Sequence, residues 1–120
     1  MTQLHDAKQD RRIDYIEMAA TTIADTKRFY SDVFGWKFTD YGPDYTSFED
    51  GRLTGGFYKA ESVQAGTVLV VMFALDLAAT EERVRKAGGK IVKPVFSFPG
   101  GRRFHFADPS GNELAVWSDR

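Results

Sequence analysis

The apolar positions change period several times along the chain, and each change predicts an element. Ile13 to Met18 alternates apolar and polar residues, the period of a half-buried strand. Ile23, Thr26, Phe29, Tyr30 and Val33 then recur at helical spacing. Thr22 sits at the N-cap position, Asp25 three residues on as a capping-box-like acid, and Gly35 ends the helix. Residues 36–39 and 45–49 read as strands around a turn at 41–44, and 55–58 as a fourth strand. After a polar connector at 61–66 the pattern restarts with an apolar strand at 68–75. Asp76 caps a helix with Leu77, Val84 and Ala87 on its apolar side, ending at Gly88 and Gly89. A strand begins at Ile91, where Pro94 limits its hydrogen bonding, and Pro99-Gly100-Gly101 turns the chain. Residues 102–107 alternate again, Asp108-Pro109-Ser110-Gly111-Asn112 is a strong turn, and 113–117 form the last strand.

Laid over each other, the halves align Ile23 with Leu77, Ala24 with Ala78, Thr26 with Thr80 and Gly35 with Gly89. Each half has the order strand, helix, three strands. The fold class is therefore α+β, a duplicated βαβββ unit, with a ferredoxin-like domain carrying an extra hairpin as the alternative. Residues 1–11 read as a solvated tail, and 12–118 as a single domain with modules at about 12–60 and 67–118.

Composition narrows the function. A chain of 120 residues buries about 65% of its unfolded surface, enough for one core. The net charge of −1 provides no basic field for nucleic acid or an anionic membrane. Without cysteine there is no disulfide, thiolate nucleophile or cysteine-bound zinc. No apolar run is long enough to span a bilayer, and the start lacks a signal-peptide pattern, so a cytoplasmic protein is expected. Aromatic residues make up 14% of the chain, more than a small core requires, so some are candidates to line a pocket.

Two segments carry a resemblance. Thr26 to Trp36, with Phe29-Tyr30 and Phe34-Gly35, is similar to the first helix of the vicinal oxygen chelate superfamily (glyoxalase, bleomycin resistance, extradiol dioxygenase), which often reads FY-x-x-x-[LF]-G. Phe106 to Leu114 resembles its final hairpin, commonly F-x-D-P-x-G-N. The resemblance implies a cup-shaped mixed sheet of eight strands with both helices outside. Alternation then turns Tyr15, Glu17, Arg103, His105, Ala107, Glu113, Ala115 and Trp117 into the cup and Ile16, Met18, Phe104, Phe106, Leu114 and Val116 to the core. On the fifth strand, Val71, Phe73 and Leu75 are assigned to the core and Val70, Met72 and Ala74 to the cup.

Metal-dependent members hold a divalent ion in the cup with His, Gln or Glu ligands. The matching positions here are Tyr15, Val70 and Ala115, with no ligand near 55–57, so no metal is expected at the usual site. A relocated divalent metal on Glu17, His105 and Glu113 is the alternative. The catalytic candidates are Glu17, as base or acceptor, and His105, as proton carrier; each has a structural counterpart in a cross-sheet salt bridge or a hydrogen-bonded strand histidine. Tyr15, Met72, Arg103, Glu113 and Trp117 are the candidate ligand contacts, the arginine for an anionic group and the others for an apolar wall or for filling the cup. Three functions follow: an enzyme of lyase or isomerase type acting on a small molecule, a bleomycin-resistance-like protein that sequesters a ligand without chemistry, or a domain with a vestigial cup. The family's habit of pairing modules or chains edge to edge implies a homodimer.

Overall fold

A computed structural model describes residues 6–66 and 68–120. His5 and Thr67 lie outside the described residues. The chain runs β1 (Tyr15–Ala20), α1 (Ile23–Phe34), β2 (Lys37–Asp40), β3 (Tyr45–Glu49), β4 (Thr54–Lys59), β5 (Val70–Phe73), α2 (Leu77–Lys86), β6 (Lys90–Phe98), β7 (Gly101–Ala107) and β8 (Glu113–Ser118). The strands form two four-stranded mixed sheets, ordered β1-β4-β3-β2 and β5-β8-β7-β6. Each half is the expected βαβββ unit, with its first strand parallel to its last and the other pairs antiparallel. Among the described residues no ladder joins β1 to β5, so the eight strands form two sheets, with edges β1 and β2 in one and β5 and β6 in the other, where a single curled sheet was expected. Before β1, Ala7–Gln9 makes one exposed 3-10 turn in the segment expected to be tail.

Helix ends follow the sequence only in part. Gly35 closes α1 in the left-handed region at φ 72°, and Asp76 caps α2 by accepting from the Ala79 amide at 3.0 Å. Thr22 occupies the N-cap of α1 but makes no side-chain cap. Thr26 instead donates its hydroxyl to the Thr22 carbonyl, and Asp25 pairs with Arg28 rather than reaching back. Pro94 lies inside β6, where the ladder to β7 is irregular between Ile91 and Phe96; as the outer strand, β6 tolerates the missing donor.

One core serves both halves. Phe29, Tyr30 and Val33 of α1 pack with Phe57 of the first sheet and with Phe104, Phe106, Leu114 and Val116 of the second. A buried polar knot fixes how they meet. The Asp108 carboxylate accepts from Tyr30 Oη at 3.0 Å, the Ser110 amide at 3.0 Å, the Asn112 amide at 2.9 Å and Asn112 Nδ2 at 3.1 Å. Asn112 Nδ2 also donates to the Ala19 carbonyl at 2.7 Å, and the Thr21 amide donates to Ser110 Oγ at 2.9 Å. The turn therefore ties the end of β1 to the start of β8.

Burial raises the Asp108 pKa against the lowering effect of these donors. An acid whose native pKa lies above its unfolded value binds its proton more tightly when folded. Its favourable contribution is therefore complete at acidic pH and is lost as pH rises from the ordinary carboxylate range through the raised value. Tyr30→Phe removes one donor from a buried carboxylate and is expected to cost about 1–3 kcal/mol in urea unfolding at neutral pH. A change within about 0.5 kcal/mol would mean that the knot does not hold the halves together.

Candidate functional site

On the first sheet, alternation places Ile16 and Met18 toward the core and Tyr15 and Glu17 on the opposite face, as expected. Tyr45, from β3, reaches that same face across β4 because the residue between is Gly56, which pairs with both Glu17 and Ser47. A β-carbon at Gly56 would collide with the hydroxyls of Tyr45 and Tyr15. Over this gap Tyr45 Oη donates to Glu17 Oε2 at 3.0 Å and is itself hydrogen-bonded to the Tyr15 hydroxyl. Desolvation, then the contacts with Tyr15 and Glu17, raises the Tyr45 pKa, so the phenol stays protonated and donates to the carboxylate. The result is a short chain of hydroxyls ending on Glu17.

The second sheet carries a different cluster. His105 is 3% exposed, and its Nδ1 lies 2.9 Å from Glu113 Oε2, a diagonal contact between β7 and β8. A carboxylate only accepts, so Nδ1 carries the proton and Nε2 is the free nitrogen, an acceptor on the neutral ring. That Nε2 is buried and has no partner. Two residues earlier on the same face, the Arg103 guanidinium lies over the rings of Phe96 at 5.3 Å and Phe98 at 5.5 Å. Trp117 stands beside it, 6.4 Å from Phe98 and 5.4 Å from Phe73 between ring centroids.

The fifth strand departs from expectation. Val70, Met72 and Ala74 pack against the core, whereas Val71 and Phe73 are 43% and 49% exposed on the other face. Residues 68–75 are almost uniformly apolar, so alternation gives them no phase. Pairing supplies it: Val70 lies opposite Leu114 and Met72 opposite Val116, both core residues. Met72 is therefore withdrawn from the ligand face, and Phe73 takes its place beside Trp117.

The candidates gather into partial groups. Glu17 and Glu113 line one cleft of about 500 Å³ between β1, the 60–66 connector and the start of β8. Met72 instead lines a second cleft of about 450 Å³ with Trp36, Phe48 and Phe34, reaching the core. Sequence reasoning missed Tyr45, Gly56, Phe73, Phe96 and Phe98. The only signal for the first two was the paired glycines, since a glycine between two strands lets side chains on either side meet once the register is known.

The metal implied by the family resemblance does not fit the side chains here. Of the positions matched from the sequence, Tyr15 has its hydroxyl engaged by Tyr45, Ala115 has no donor atom, and Val70 turns to the core, with Val71, also without a donor, on the ligand face in its place. Among the described residues no three His, Asp or Glu side chains gather as a metal group, and Glu17, His105 and Glu113 are not brought together as one.

A sequence profile of the Glyoxalase/Bleomycin resistance protein/Dioxygenase superfamily matches residues 12–116. The anthracycline biosynthesis protein DnrV of Streptomyces peucetius is 32% identical over 124 residues, covering 86% of this chain and 45% of that protein. The chain thus spans about half the length of this curated relative. A glyoxalase-related enzyme from Fulvimarina pelagi superposes with a TM-score of 0.78 at 20% identity, over 90% of this chain and 88% of that one. The fosfomycin resistance protein FosX from Mesorhizobium loti gives 0.77 at 16% identity, over 90% and 92%. At such identities the two structures speak for the fold alone. Together with the profile, which runs from just before β1 into β8, the repeated βαβββ units establish that the chain belongs to the Glyoxalase/Bleomycin resistance protein/Dioxygenase superfamily.

Proposed function

We propose that the chain takes a small organic molecule against the core-distant faces of its sheets and moves a proton on it. Glu17 and His105 are the groups that exchange the proton. The observation that carries this reading is the Glu113–His105 pair, which fixes Nδ1 and leaves a buried, unpartnered Nε2. An imidazole oriented in this way by a carboxylate is suited to general acid–base work. Glu17 shares a cleft with Glu113, the partner of His105, and is held by Tyr45, so Glu17 is the second proton carrier of this reading. The proposed step does not run through a metal at the family position, because the side chains there supply one engaged phenol and two aliphatic groups.

A second reading, sequestration without chemistry, is favoured by the aromatic wall of Phe73, Phe98 and Trp117. We also propose a homodimer in the cytoplasm. The unpaired β5 edge with Val68, Val71 and Leu75 exposed supports a covering second copy. No helix among the described residues is long and apolar enough to cross a membrane.

The experiment is native mass spectrometry for co-purified molecules and a thermal-shift metabolite screen, with chromatography of each hit for product and with divalent ions added or chelated. A stabilising molecule that is converted without added metal is the expected result. Stabilisation with no product would establish sequestration instead, and a screen with no hit would overturn both readings.

A further inference from the structure

Arg103 differs from the other arginines. Arg11, Arg28, Arg85 and Arg120 each pair with a carboxylate, Arg12 donates to the Lys8 carbonyl and Arg102 to the Arg120 carbonyl. Arg52 and Arg83 are exposed, where water solvates them. Arg103 is half-buried, its Nε is shut away without a partner, and no carboxylate pairs with it among the described residues. Its contacts are the rings of Phe96 and Phe98. Such cation–π contacts steady the charge but bond none of its N–H groups, and a hidden donor without an acceptor is costly.

A second orphan lies beside it. Only three buried side-chain polar atoms lack a partner among the described residues, and one, Glu81 Oε2, belongs to a carboxylate whose other oxygen holds Arg85. The remaining two, Arg103 Nε and His105 Nε2, sit two residues apart on one face of β7. The His105 side chain is only 4% exposed.

We propose that Arg103 anchors the head group of the ligand, and that the ligand is a small monocarboxylate with a flat apolar body. The carboxylate takes the guanidinium, and the body lies against Phe98, Trp117 and Phe73. This rests on the reading of this face as a small-molecule site and adds the chemical class of what it holds. A guanidinium offers a carboxylate two parallel N–H donors, and because Arg103 Nε is buried the acid takes the two terminal Nη groups end-on. A dianionic phosphate suits the position less well, because Glu113, 2.9 Å from His105 two residues along β7, stands on the same face and repels a second negative charge. The ring wall beside the guanidinium sets the preference for a planar body.

The test uses 1-naphthoate and its neutral amide, 1-naphthamide, titrated into the full chain by calorimetry while the Trp117 indole signal is followed by NMR. The acid is expected to bind at least about tenfold tighter than the amide, the worth of one well-made charged hydrogen-bonding pair. Arg103→Gln is expected to bring the two probes within about twofold. Arg102→Gln, on the opposite face of β7, should leave the preference intact. If Arg103→Gln fails to fold, Arg103→Lys and the loss of preference with rising salt on the unaltered chain take its place. Equal binding of acid and amide, or a preference that survives Arg103→Gln, overturns the anchor while leaving the small-molecule reading standing, provided Trp117 responds. If neither probe moves Trp117, the proposed ligand class is wrong. An empty metabolite screen in addition would remove the underlying function.

Discussion

Glu17→Gln is expected to lower turnover of the molecule found by the screen by about 10²–10⁴-fold, the usual worth of a positioned proton carrier. The fold and ligand affinity should be kept. The substitution isolates the proton because the amide oxygen of glutamine still accepts from Tyr45 Oη, which now contacts Glu17 Oε2 at 3.0 Å. Desolvation and its neighbours hold the Tyr45 phenol protonated, so the donor is present in both proteins. What changes is that the amide cannot take up a proton. The loss should therefore fall on kcat and leave KM nearly unchanged, the pattern of an interaction used only in the transition state. Unchanged turnover would leave His105 as the sole proton carrier, and a raised KM with an unchanged kcat would make Glu17 a binding acceptor.

How far the chain could be read without coordinates depended on whether alternation had contrast. In β1 and β7 polar and apolar residues alternate, and the faces of Glu17, Arg103 and His105 came out correctly from that contrast alone. In β5 the run is apolar throughout, and the phase of Met72 and Phe73 is fixed only by partners more than forty positions away on β8. The helix ends show the same division. Asp76 caps as its type suggests, but at Thr22 the Thr26 hydroxyl takes the carbonyl and no side-chain cap forms. The hydrogen bond from Tyr45 to Glu17 was not legible because it depends on an absent side chain. Gly56 matters for what it leaves open between two strands, which only the register reveals. The orphaned nitrogens of Arg103 and His105 are likewise a property of surroundings.

Phe106→Ala is expected to cost about 3–5 kcal/mol, a large part of the roughly 5–15 kcal/mol that holds a domain of this size together. The ring is completely buried on β7, with centroids 5.8 Å from Phe29, 5.9 Å from Phe34 and 6.2 Å from Phe104. Two of those neighbours belong to α1, the helix of the first module. Removing the ring therefore opens a cavity between the modules rather than inside one, and the flanking helix cannot close it without moving the residues that carry the Asp108 knot, since Tyr30 stands beside Phe29. Two probes decide whether the shared core acts as one unit. Trp36 reports on the first module and Trp117 on the second, and their fluorescence should be lost together in urea, in the unaltered chain and in Phe106→Ala, with the midpoint lowered and the slope kept. Separate transitions for the two tryptophans would mean that the modules are stable independently. The halves would then be free to part, and Glu17 and Glu113 would no longer be held in a common cleft.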